Sequence, residues 1–300
     1  MMTSLRPYLQ LIRLPNLPSA FGDVCLGAVI LATHPTALPS LPVLSFLLLL
    51  ISSGCLYSAG MVWNDYFDVE QDRRERPERP IPSGNVSERQ AMILGLSLFA
   101  VGLLCAGLVS RVSLLLAGLL VGAILLYDGW LKREWVGPIA MGSCRFLNVL
   151  LGLSLAGSVM SIWSLHLAFV VGLYVVGVTL FARTEAKVSN QSALQGAALL
   201  MFLSLGLALL LPTYKDVGKA SVLFPYVLVL FGFFLGIPLV RAISSPTPSR
   251  VQTAVKRSLM GLIFLDAILA TALAGTWGLL LLLLLIPSFL LNRLRWLYAT

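Results

Sequence analysis

Residues 43–72 read VLSFLLLLISSGCLYSAGMVWNDYFDVEQD. The first two thirds are apolar and long enough to cross a bilayer as a helix, for which about 20 residues suffice. The run then ends in Asn64-Asp65-Tyr66-Phe67-Asp68-Val69-Glu70-Gln71-Asp72. At helical pitch Asp65, Asp68 and Asp72 share one face, and Asn64 lies one turn from Asp68. Carboxylates beside a bilayer are costly unless something pairs with them. A hard divalent cation such as Mg²⁺, held through one or two carboxylates and substrate phosphates, is a natural partner, so the pattern points to a diphosphate.

Outward from that stretch, apolar segments recur along the whole chain. Of 300 residues 58% are hydrophobic and 11% charged, with a mean hydropathy of +0.91. A soluble globule carries about 25% charged residues, so the composition excludes one and predicts an all-α polytopic membrane bundle. The expected spans are 15–33, 43–65, 91–110, 112–127, 138–159, 163–183, 193–212, 221–243, 254–274 and 277–293. The fourth is short and only Gly275-Thr276 separates the last two, so the reading is nine or ten helices.

Charge placement sets the orientation. With a cytoplasmic N-terminus and ten spans, 17 of the 21 basic residues fall on the cytoplasmic side. Arg111, Lys215 and Lys219 fall outside, and Arg145 lies within a helix. That is the positive-inside pattern, and it accounts for the net charge of +8 without nucleic acid. The first 14 residues lack an apolar h-region, so no cleavable signal is expected. Cys25, Cys55, Cys105 and Cys144 lie in separate spans, with no C-x-x-C pair, and read as small buried hydrophobes. No linker interrupts the chain, and 1–300 is read as a single membrane domain. Polar loops 64–90, 128–137 and 183–192 share the cytoplasmic face, which is where the chemistry is expected. The expected location is the bacterial plasma membrane.

After Asp72 the chain continues Arg73-Arg74-Glu75-Arg76-Pro77-Glu78-Arg79-Pro80-Ile81-Pro82-Ser83-Gly84. The prolines stop the helix and Gly84 supports a turn, so the chain is expected to double back over the aspartates. Arg79 would then meet the diphosphate, whose oxygens suit a planar, permanently charged guanidinium. Arg73, Arg74 and Arg76 read as topology determinants. Asp128, four residues before Lys132, has the spacing of a helical ion pair. Arg145 and Asn148, three apart near the cytoplasmic end of the fifth span, are expected to line the cavity. Asp23 and Asp266 are expected to pair or hydrogen-bond internally.

N-D-x-x-D-x-x-x-D followed by R-P-I-P-S-G resembles the signature of the UbiA superfamily of intramembrane prenyltransferases. Arg13-Leu14-Pro15-Asn16 resembles that family's R-x-x-N opening, and Tyr127 through Lys132-Arg133 its Y-x-x-x-x-K-R element. Residues 142–148, Gly-Ser-Cys-Arg-Phe-Leu-Asn, resemble its next helix start. In detail the chain is most similar to the UbiA-like proteins encoded in bacterial ebo clusters. The resemblance implies a helical bundle around a central cavity, with Mg²⁺ as cofactor and a prenyl diphosphate entering from the lipid. Asp65, Asp68 and Asp72 would be the metal-site acids, and with Lys132 the catalytic set. Asn64, Arg79, Arg133, Arg145, Asn148, Asn16, Tyr127 and Glu185 would bind substrate.

The chain departs from that pattern at the second acidic motif. Around the end of the sixth span it reads Thr179-Leu180-Phe181-Ala182-Arg183-Thr184-Glu185-Ala186-Lys187, with Glu185 the only acid. The expected function is Mg²⁺-dependent transfer of a prenyl group to a small, aromatic acceptor within the membrane. The alternative is a non-catalytic relative that binds or helps move a lipid or small-molecule precursor.

Overall fold

A backbone in hydrocarbon must satisfy its own hydrogen bonds, and each apolar segment does so as a helix. The structure is a computed structural model, and it describes residues 5–33, 42–156, 161–183, 190–214 and 219–294. Helix α1 is Arg6–Leu11, α2 Leu17–Thr33, α3 Val43–Phe67, α4 Val69–Glu75, α5 Glu88–Val109 and α6 Arg111–Gly129. They are followed by α7 Gly137–Leu153, α8 Ile162–Ala182, α9 Gln191–Ala208, α10 Phe224–Ser244, α11 Pro248–Ala274 and α12 Leu285–Arg293. Among the described residues there is no strand. Eight segments are long and apolar enough to span, counting Pro248–Arg293 as one, and α7 is a shorter apolar helix.

That last segment is in fact two. Gly275, at φ +64°, ends α11 in a conformation that L side chains rarely adopt. The chain then runs back as a 3₁₀ helix over Gly275–Leu284 and continues as α12. Gly278 lets it lie against α11, since a Cβ there would stand 2.6 Å from the Ala270 carbonyl carbon. Helix α12 returns to touch Leu14–Asn16, so it ends at the face where α2 begins. Ten expected spans therefore correspond to ten helical segments among the described residues, and the even count brings both ends to one face.

Helices α2, α7, α8 and α11 form the inner layer, with α11 almost continuously buried from Gly261 to Ala274. Glycine pairs draw this layer together. Gly27 and Gly152 join α2 to α7, and Gly142 and Gly172 join α7 to α8, so that a Cβ at Gly27 would lie 2.6 Å from the Gly152 carbonyl carbon. Such small-residue contacts let membrane helices approach backbone to backbone. Outer helices present Leu104, Leu115, Leu230 and similar side chains outward, as a lipid-facing surface requires.

At the polar face α3 and α4 form one nearly continuous helix bent at Asp68. The Asp68 N–H donates to Asn64 and the Asp72 N–H to Asp68 across the junction. The chain then turns back, with Ser83 N–H bonded to the Arg79 carbonyl and Val86 N–H to that of Pro80. Gly84 takes φ +75° in this turn. Ile81 and Val86 seal the loop against Leu11, Val62 and Ala91 in a small apolar core of its own. A capping box between Ser87 and Gln90 then starts α5.

Candidate functional site

The return of the loop brings Arg79 over the aspartates. Its Nη1 lies 2.7 Å from Asp72 Oδ2 and 3.2 Å from Asp65 Oδ1, with all three side chains largely buried. Asp65 also receives Arg13 Nη2 at 2.9 Å. Asp68, at the helix bend, receives Lys132 Nζ at 2.6 Å and Arg133 Nη2 at 3.5 Å. Three carboxylates thus face four cations drawn from the first turn, the return loop and the α6–α7 connection. Burial pushes the Asp72 carboxyl up, and Arg79 opposes it. Burial works against the Arg13 charge too, but Asp65, together with Tyr57 and Asp128, holds the guanidinium above its ordinary value.

Arg13 is the site residue that the sequence reading passed over. It was read as part of a motif and as topology, yet it is the one non-glycine residue among those described with positive φ, at 48°. That left-handed turn follows α1 and precedes Pro15, and it aims the side chain 52 residues along the chain to Asp65. Strain of this kind costs about 1–3 kcal/mol and persists where the surroundings over-determine it. Pro15, two residues beyond Arg13, was the available signal, but no local spacing linked Arg13 to α3.

The expected Asp128–Lys132 pair does not form. Lys132 leaves α6 in a 3₁₀ turn, Leu131–Arg133, which carries its amine to Asp68. Asp128 instead accepts from Asn64 Nδ2 at 2.8 Å, so Asn64 faces α6. Arg183 fixes that turn, donating to the carbonyls of Lys132, at 2.7 Å, and Glu134. Tyr127 is half-buried within electrostatic reach of Asp128 and Arg183. Asn16 caps the other side, its side chain bonded to the Tyr57 hydroxyl. Glu185 lies outside the described residues.

Arg145 and Asn148 belong to a second group, about two turns into α7. Arg145 Nη1 donates to Asp23 Oδ2 at 3.0 Å and to the Ser19 carbonyl at 2.8 Å. Asn148 Nδ2 donates to the same Asp23 oxygen at 2.6 Å, and its Oδ1 accepts from Ser53. The guanidinium stacks 5.9 Å from the Tyr57 ring centre, linking this group to Asn16 and the polar face. Asp23 is paired, as expected. Asp266 has no hydrogen-bond partner on either oxygen.

Among the described residues no three acidic, histidine or cysteine side chains stand close enough to hold a metal by themselves. Mg²⁺ does not require such a cluster, since it keeps several waters and takes one or two carboxylates together with substrate phosphates. Asp65, Asp68 and Asp72 offer oxygens of the right hardness, and the surrounding cations would suit the phosphates.

Residues 24–252 match the UbiA prenyltransferase family. The chain belongs to that family. A curated relative, the digeranylgeranylglyceryl phosphate synthase of Methanopyrus kandleri, is 34% identical over 174 residues, covering 56% of this chain and 60% of the relative. The chain spans about half to three fifths of the length of the curated relatives it matches. A solved structure concerned with digeranylgeranylglyceryl phosphate synthase superposes with a TM-score of 0.67 at 20% identity, covering 92% of this chain and 99% of the other. A UbiA homologue from Archaeoglobus fulgidus bound to GPP and Mg²⁺ gives a TM-score of 0.53 at 15% identity, covering 92% and 99%. These superpositions bear out the helical bundle as the UbiA fold. The chain is a multi-pass integral membrane protein.

Proposed function

We propose that the chain transfers a prenyl group from a prenyl diphosphate to a small acceptor within the membrane, in an Mg²⁺-dependent reaction. The observation that carries this reading is the cation-filled aspartate face: Arg13, Arg79, Lys132 and Arg133 converge on Asp65, Asp68 and Asp72. In the proposed complex the diphosphate oxygens take the place of the carboxylates as partners of these cations. The aspartates are thereby freed to hold the metal. Mg²⁺, when bound, would neutralise the diphosphate and ease its departure. Lys132 and the arginines stabilise the charge that develops on the leaving group. Asn64, held by Asp128, and Asn16, beside Tyr57, would flank the head group with Tyr127, while Arg145 and Asn148 lie deeper, where both bind Asp23. The apolar bundle excludes the water that would otherwise trap the allylic cation. All ten segments act as one domain, with the N-terminus and the site on the cytoplasmic face of a plasma membrane.

The acceptor is a small molecule. The name of the curated relatives supports the alcohol of a glyceryl phosphate, and an aromatic acceptor is the competing choice. A test supplies purified protein with labelled geranylgeranyl diphosphate, Mg²⁺ and either acceptor class. Prenylated product and released diphosphate are expected, both lost on chelation and restored by Mg²⁺. Absence of turnover with every acceptor, while Asp68→Ala still weakens prenyl diphosphate binding, would replace catalysis with the binding function that resemblance to the ebo-cluster proteins implies.

A further inference from the structure

Asp23 and Asp266 are both fully buried, on α2 and α11, inside the inner layer. Gly22 lies directly against Asp266, where a Cβ would collide with Oδ2. Three carboxylate oxygens of the two residues, Asp23 Oδ1 and both of Asp266, have no hydrogen-bond partner among the described residues. Among the described residues one cation faces them. Arg145 on α7 is bonded to Asp23 Oδ2, and it is in electrostatic reach of Asp266 as well. Of the other ionisable groups on packed helices, Cys25 on α2 faces both acids. Tyr174 on α8 is spent on the Ser258 carbonyl, and Tyr226 and Arg241 of α10 are exposed.

Two carboxylates and one guanidinium leave an unbalanced negative charge in the membrane interior. A buried, unpaired carboxylate costs far more than its protonation, so such a group neutralises. A metal ion is a poor alternative: Cys25 is within electrostatic reach of both acids, but no third acidic, histidine or cysteine group among the described residues stands close enough to complete a cluster, and Arg145 already occupies Asp23. We propose that Asp23 and Asp266 form an intramembrane proton-binding pair that holds a single proton beside Arg145. The proton belongs to the pair as a unit. It removes the unbalanced charge, turns one of the orphaned oxygens into a hydroxyl, and leaves Arg145 bound to Asp23. Arg145 in turn fixes Ser19 and stacks on Tyr57, so the proton secures the docking of α2 on α7 beneath the polar face. Nothing in this inference depends on prenyl transfer.

The test is infrared spectroscopy of the full chain, purified in sodium-free buffer at neutral pH, reading the carbonyl stretch of protonated aspartic acid. Relative to the unmodified protein, Asp266→Asn removes one carboxylic acid band. Asp23→Asn removes one band too, because Asp266 then ionises as the counter-ion of Arg145. Arg145→Gln adds a band, since both acids must then be neutral, and it provides the reading if Asp23→Asn fails to fold. A band that survives Asp23→Asn in full means that the two acids are protonated independently and overturns the single-proton pair. No loss in Asp266→Asn overturns it as well. Loss of the band of the unmodified protein on adding sodium would assign the site to a cation instead.

Discussion

Arg79 reaches Asp65 and Asp72 at once from a loop, with only 12% of its side chain exposed. Removing one partner of a buried ion pair leaves the other charge uncompensated and costs about 3–5 kcal/mol. Arg79→Ala should therefore lower the melting temperature in detergent sharply. Arg73→Ala, whose partners Glu70 and Glu88 are exposed, should change stability by about 0–1 kcal/mol. Equal losses in the two variants would contradict the buried bridge. Lys132→Ala removes the cation closest to Asp68, and about 100-fold should disappear from kcat in a turnover assay, the size of one preorganised donor. The aspartate spacing and Arg79 were legible in the sequence because period and loop reversal are local properties. Arg13 was not, for its partner lies across a proline break on another helix. Asp128 and Lys132 misled for the opposite reason: their spacing suits an ion pair only while the helix continues, and it ends at Gly129.

At the scale of elements, the loop between α4 and α5 positions the site, and Gly84 permits it. No atom lies within 4 Å of where its Cβ would be, so a substitution acts through the backbone alone. Gly84→Ala should cost about 1–2 kcal/mol for the left-handed conformation. It should also weaken prenyl diphosphate binding, while Gly84→Asn, which tolerates that region, should do less harm to both. Equal effects of Ala and Asn on melting temperature and affinity would contradict this. The helices themselves were legible because twenty apolar residues admit few alternatives in a bilayer. The inward faces were not, because most spans are so uniformly apolar that little amphipathic pattern orients them. Only the glycine contacts of α2, α7 and α8, visible in three dimensions, settle which side turns inward.

For the whole molecule, the return of α12 to Leu14–Asn16 has a direct consequence for topology. Single cysteines placed at Arg6 and Arg293, in a background without the native four, should label from the same side of a sealed vesicle. A cysteine at Lys219 should label from the other. Opposite labelling of positions 6 and 293 would require an odd number of crossings. The basic residues already favoured ten spans over nine, since charge asymmetry is a property of the entire chain and survives ambiguity in any one segment.

The aspartate face rests on its own arginines and lysine, so the chain supplies its own counter-ions. A lone Mg²⁺ must evict a guanidinium and gains no net pairing. A lone diphosphate would strand the carboxylates that it separates from their cations. In the proposed complex the two would arrive together, each offering partners to the charges that the other separates. Metal and diphosphate should accordingly bind as heterotropic partners, each raising the affinity of the other by the same factor, as linkage demands. Titration calorimetry of either ligand, with and without the other, would measure that factor, and a value of one would show that the exchange of partners does not occur.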